Sequence, residues 1–268
     1  MQQFEIDYAK LIERILMNGE VRQTRNGETT AVFGEMLTVA INGSNKFPIL
    51  QGRKMYPQGV FGELAAMLRK PTCVEDFKKW GCNYWGLWAK EDGSINVDYG
   101  NAWHADGQIE QLKYSLAYDP MNRRMIISGW RPSKLDELDL PCCHLMYQFY
   151  VRDGKYLDML WTQRSVDTMI GLPSDIVFAA AWLISIANEF SLQPGEIKMS
   201  LGDCHIYTEH YDAAIEYTRR VMAEPLPGPS PTYRLSVKEG KDFCLFEPND
   251  IALSVYQSHT KLELELKA

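Results

Sequence analysis

Cys142-Cys143-His144 is the first place in the chain where residue types suggest covalent chemistry. A cysteine in an apolar strand is usually a small core residue. Here Pro141 precedes the pair and Gln148-Phe149-Tyr150-Val151 follows, which puts both thiols at a strand entrance. Further on come Gln163-Arg164-Ser165-x-Asp167 and then Gly171-Leu172-Pro173. His205 and Tyr207 alternate on one face of a strand, where a satisfied core pair is the plain reading; a metal site has no second ligand at useful spacing. Glu63 lies on an otherwise apolar helix face, where a carboxylate is costly unless paired or hydrated, so it is a functional candidate. Arg123-Arg124 reads as a solvated pair at a strand start.

The elements that must carry these residues follow from periodicity. Residues 4–17, 60–70, 108–117, 176–190 and 210–222 read as helices, the second stopped by Pro71 and the fourth apolar enough to be buried. Strand signals run over 31–41, 123–130, 143–152, 155–165 and 198–208, with more strand-like sequence from 233 to 246. Arg25 to Thr30 reads as a turn, the Trp- and Tyr-rich segment 80–103 as loops lining something, and 225–233 as a connector. The class is α+β: one large mixed sheet flanked by helices. No repeat, low-complexity tract or domain boundary stands out, so 1–268 is taken as a single catalytic domain.

Composition narrows the function. A chain of 268 residues with 46% hydrophobic and 24% charged residues is globular. A net charge of −7 disfavours nucleic acid as a partner, though arginines converging on one pocket can still bind a small phosphate. No apolar run approaches the roughly 20 residues of a membrane span, and the N-terminus lacks a signal-peptide pattern, so the expectation is a cytoplasmic enzyme with no membrane partner. The six cysteines are expected as free thiols, without a zinc site.

In order, PCCH-x3-QFYV, QRS-x-D-x3-GLP and GD-x-HIY-x2-H resemble the signature core of the thymidylate synthases. Phe33-Gly34, Glu63-Leu64, YWGLWAKEDGSINVDYGNAW and PMNRRMIISGW have counterparts upstream, and the resemblance covers roughly residues 20 to 260. It implies an α/β homodimer packed sheet to sheet, a pyrimidine nucleoside monophosphate substrate and 5,10-methylenetetrahydrofolate as cofactor. Cys143 is then the nucleophile that adds to C6, with Cys142 a neighbouring thiol. Arg164 supplies the positive charge a thiolate needs and also binds phosphate. Arg25 and Ser165 add phosphate contacts, and Arg123 and Arg124 reach the other subunit's nucleotide. His205 and Tyr207 are implied at the 3′-hydroxyl, and Gln163 at the substrate. Glu63 relays protons with Tyr99 and His144. Asp167 meets the pterin, and Trp85, Ile170 and Gly171 line the folate site. Trp88 and Trp103 are expected as core packing.

One departure bears on the substrate. Thymidylate synthases carry Asn two residues after Gly-Leu-Pro, whereas this chain has Asp175. Asp175 either caps the helix that follows or reads the base edge. An amide matches uracil; a carboxyl accepts from the cytosine amino group and, when protonated, donates to N3. The change resembles the phage dCMP hydroxymethylases of this family, and Ser174 is a second departure beside it. The charged tail LELELKA departs from the family's apolar C-terminus, a poorer seal that favours water addition over hydride transfer. The expected activity is therefore hydroxymethylation of dCMP. Alternatives are a dCMP methylase, a CMP hydroxymethylase, an ordinary dUMP thymidylate synthase, or a catalytically dead nucleotide- or RNA-binding relative.

Overall fold

The computed structural model describes residues 1–226, 228–254 and 256–267. Helix α1 (Gln3–Asn18) buries Phe4, Tyr8, Leu11, Ile12 and Ile15, the stripe its three- and four-residue spacings predict. Strands β1 (Glu20–Thr24) and β2 (Gly27–Ala40) form a hairpin in which Thr24 pairs with Gly27 across Arg25-Asn26. The turn expected to extend to Thr30 is thus shorter: Thr29 and Thr30 are β-branched and pair on both sides, with β1 and with the later strand that carries Tyr207.

Helix α2 (Pro57–Met67) starts before residue 60, because Pro57 at its first position has a preset φ and needs no N–H partner. Short helices α3 (Val74–Lys78) and α4 (Gly100–Trp103) bracket the aromatic segment, and α5 (Gln108–Tyr118) follows. Then come β3 (Ile126–Ser128), shorter than expected, β4 (His144–Arg152) and β5 (Tyr156–Asp167). Asp153 and Gly154, both at positive φ, make the tight turn between β4 and β5. Helix α6 (Gly171–Glu189), strand β6 (Gln193–Tyr207) and helix α7 (Tyr211–Met222) complete the main body. Residues 233–246 are mostly not strand: β7 (Thr232–Leu235) pairs with β8 (Ile251–Ser254), and short 3-10 turns lie between.

The main sheet has the order β1-β2-β6-β5-β4-β3. Only β5 and β6 are parallel, joined by the α6 crossover; the other pairs are antiparallel, so the sheet is mixed. Under it, Trp182 of α6 stacks on Trp103 at 4.5 Å, with Tyr147, Trp161 and Phe178 around them, and Trp103 is core as expected. Among the described residues α6 is the one helix long and apolar enough to cross a membrane, and it is buried in this core.

The opposite face of the sheet is uncovered. Met36, Ser200, Thr162 and Met146 stand opposite one another in register, as do Thr38, Lys198, Leu160, Gln148 and Ile126. Met36 is 59% exposed and Ile126 38%; Tyr150 on the same face of β4 is 59% exposed. Gly202 lets β6 approach β5 beside Arg164: a Cβ there would lie 2.5 Å from the Arg164 carbonyl oxygen.

Candidate active site

A cavity of about 520 Å³ opens over the C-terminal ends of β5 and β6, the two parallel strands. Cys143, at the entrance to β4, lines it, while Cys142 is buried and its Sγ points to the Gly129 carbonyl at 3.4 Å. The successive thiols therefore differ in surroundings. Burial pushes Cys142 up to about 12. Burial also raises Cys143, but Arg164 foremost, then Tyr99 and Arg25, act against it. The Arg164 guanidinium is fixed by donating from Nε to Cys142 O at 2.9 Å and from Nη2 to Pro141 O at 3.0 Å. It lies 3.9 Å from the Cys143 sulfur and faces the Trp130 ring. The Cys143 N–H donates to the Tyr99 hydroxyl at 3.0 Å.

Two carboxyl groups sit deep in the cavity. Glu63 accepts from the Trp85 indole at 2.7 Å and from the Tyr84 hydroxyl at 2.6 Å. Burial lifts its pKa to about 7 despite those two donors. Asp175 accepts from Gln163 Nε2 at 2.7 Å, and burial lifts its pKa to about 8, which favours the protonated form. The helix-cap alternative for Asp175 fails. Helix α6 begins at Gly171, not 176; its N-cap is Ile170, and no side chain caps it. Pro173 sits in the first turn, where its missing N–H is no loss, so Gly-Leu-Pro opens the helix rather than preceding it. Asp175 thus projects from inside the helix, toward Gln163.

His144 lines the cavity as a neutral ring, its pKa lowered to about 3 by burial, with Nδ1 bonded to the Tyr147 hydroxyl. Tyr99 bonds to the Cys143 amide and His144 to the Tyr147 hydroxyl, and both line the cavity that also holds Glu63. On the strand-end side, His205 Nδ1 donates to Asp203 at 2.8 Å, which frees Nε2, and Tyr207 lies beside it at 5.3 Å between ring centres. Arg25, Ser165, Asp167, Ile170 and Gly171 all line the cavity. Arg123 and Arg124 do not; both are exposed, directly before β3.

The family model for thymidylate synthase matches residues 6–268. The chain belongs to the thymidylate synthase family. With that membership comes folate-dependent one-carbon transfer to C5 of a pyrimidine nucleoside monophosphate.

The cavity of this thymidylate synthase relative is in the size range of ligand and cofactor sites. Its residues fit a folate: Trp85, Trp88, Ile170 and Leu140 give apolar walls, and Asp167 holds one oxygen on the Met169 and Ile170 N–H groups. Gln163 Oε1 is buried without a partner among the described residues, an acceptor suited to a ligand N–H or a water. Trp88 is a correction: it was expected as core, yet it is half-buried and lines the cavity. Sequence reasoning also missed Asp203 and Leu140, and gave Tyr84 no role beyond its place in the lining segment. Asp203 was findable, since it precedes His205 by one strand period. The tail does reach the cavity, through Leu266 and Lys267: His210 holds the Glu265 carbonyl at 3.0 Å, and Lys267 pairs with Glu209 at 3.1 Å.

Proposed function

We propose that the chain converts dCMP to 5-hydroxymethyl-dCMP, and that it works as a homodimer. The observation that carries the base assignment is the Asp175 carboxyl, bonded to Gln163 inside the cavity and not used as a cap. A protonated carboxyl donates to cytosine N3 and accepts from the N4 amino group. An ionised carboxyl facing uracil would instead set acceptor against acceptor at O4, costing roughly 1–3 kcal/mol for the unmatched buried groups.

Cys143 adds as thiolate to C6, favoured by Arg164 and Arg25, and turns C5 into a carbon nucleophile. When bound, methylenetetrahydrofolate supplies the one-carbon unit to C5. After loss of the C5 proton and release of tetrahydrofolate, the pyrimidine carries an exocyclic methylene. Water then adds its oxygen to that carbon and gives its proton to Glu63; the electron pair returns to the ring and expels the Cys143 thiolate. Glu63, near neutral in pKa and in reach of both states at pH 7, suits this role, worth typically ~10²–10⁴-fold. His205 and Tyr207 take the sugar, Ser165 and the arginines the phosphate, and Asp167, Trp85, Ile170 and Gly171 the folate. Water addition, rather than hydride return, is supported by the charged Lys267 at the cavity rim, where an apolar seal would exclude water.

The uncovered sheet face and the position of Arg123 and Arg124 outside their own cavity support a dimer in which those arginines serve the partner's phosphate site. The test is incubation with methylenetetrahydrofolate and dCMP, CMP or dUMP, followed by product mass. The expected product is 5-hydroxymethyl-dCMP from dCMP. A methyl product from dCMP overturns water addition, preferred use of CMP overturns the deoxyribose assignment, and thymidylate from dUMP as the main product overturns the cytosine assignment.

A further inference from the structure

We propose that Tyr84 is a positioning residue for Glu63: its phenol holds Oε2 while the Trp85 indole holds Oε1, so that the carboxylate is fixed at both ends. The two bonds are 2.6 Å and 2.7 Å, both short for their type. The local fold is arranged to make them. Gly62, next to Glu63 on α2, has no Cβ, and one placed there would lie 2.2 Å from the Trp80 carbonyl oxygen. The chain after Trp80 can therefore pass close against α2. Gly81, at φ +86°, turns it, and Trp85 is then locked by stacking on Phe77 at 4.8 Å with its ring planes 17° apart. Tyr84 is thereby delivered beside Glu63 and into the cavity wall.

Both donors offer hydrogens, so the clamp fits the ionised carboxylate and opposes the acid form, which must place a proton on an oxygen already facing a donor. Burial works in the other direction. The groups facing Glu63 are Tyr84, Trp85 and, through space, Cys82 and Asp175. Among them only Tyr84 and Trp85 bond to it. Trp85 is committed to the folate wall in the reading above, which leaves Tyr84 as the residue whose single hydroxyl tunes Glu63. This inference rests on Glu63 as the group that takes the proton from water.

The experiment is a ¹³C NMR titration of the free enzyme labelled at glutamate side-chain carboxyls, which aspartates such as Asp175 do not enter; the Glu63 signal is assigned by its loss in Glu63→Gln. Tyr84→Phe is expected to raise the Glu63 midpoint by about one pH unit, a tenfold gain in proton affinity. The acid limb of kcat should move up with it, with KM changed less than about twofold, so that the loss at pH 7 is recovered at higher pH. Should Tyr84→Phe fold poorly, 3,5-difluorotyrosine at position 84, a stronger donor of nearly the same shape, is expected to lower the midpoint instead. An unmoved midpoint in either variant, or movement in the opposite sense, overturns the positioning role. Full turnover by Glu63→Gln overturns the proton role assigned to Glu63 under the proposed function, and leaves the titration result to stand or fall by itself.

Discussion

The end of the cavity proposed to hold the base and the end proposed to hold the phosphate are built in opposite ways. At the base end this chain holds its own reacting groups: Glu63 by Tyr84 and Trp85, Asp175 by Gln163, the Cys143 amide by Tyr99. At the phosphate end the chain offers Arg25 and Arg164, while Arg123 and Arg124 stand exposed elsewhere on its surface. Proton and covalent chemistry need groups fixed to within fractions of an ångström, which a buried, desolvated pocket provides. A dianion asks mainly for charge, and charge can arrive from a second copy.

The largest expected effect breaks the base end. Cys143→Ser should abolish turnover and leave nucleotide binding within about tenfold, since binding groups remain while the nucleophile is lost. Cys142→Ser should stay active, because its thiol is buried and bonded away from the cavity. Steady-state rates and nucleotide titration of the two variants decide this, and the reverse pattern would exchange their roles.

Next in size is the phosphate end. Arg123→Ala and Cys143→Ala should each be inactive alone, yet mixing them should restore part of the activity. One site of each hybrid dimer then has both wild-type residues. Activity of the mixture, with heterodimer verified by native mass spectrometry, is the measurement; no recovery would make the phosphate end as self-contained as the base end.

A smaller effect follows from linkage. Asp175 has its pKa raised from 3.8 to about 8, so the folded state resists an ionisation that the unfolded chain makes freely. Its stability cost is absent below pH 3.8, grows as pH rises and levels off above about 8. Asp175→Asn should therefore raise Tm by several degrees at pH 7 and by nothing at pH 3.5, read from melting curves across that range.

How much of this was legible in the sequence differs between the two ends as well. Cys143, Gln163, Arg164, Asp167 and His205 fall in ordered motifs whose spacing reflects strand positions, and all reach the cavity. What misled was local chemistry overridden by packing. Gly-Leu-Pro before Asp175 looks like a turn but opens α6. Pro194-Gly195 looks like a break but lies inside β6, where a Cβ on Gly195 would lie 1.9 Å from an Asp158 oxygen. Trp88 is an aromatic in an apolar cluster, and nothing in its spacing separates a wall from a core. Lys267 and Leu266 reach the cavity through contacts with His210 and Glu209 that have no local pattern.

The role proposed for Asp175 as reader of the base is tested most directly by the ratio of kcat/KM for dCMP over dUMP in wild type and Asp175→Asn. The wild type should prefer dCMP, and the mutant should lose roughly tenfold to a few hundredfold of that preference, as one unmatched buried pair is removed. A wild type that prefers dUMP, or a mutant with the ratio unchanged, would contradict it.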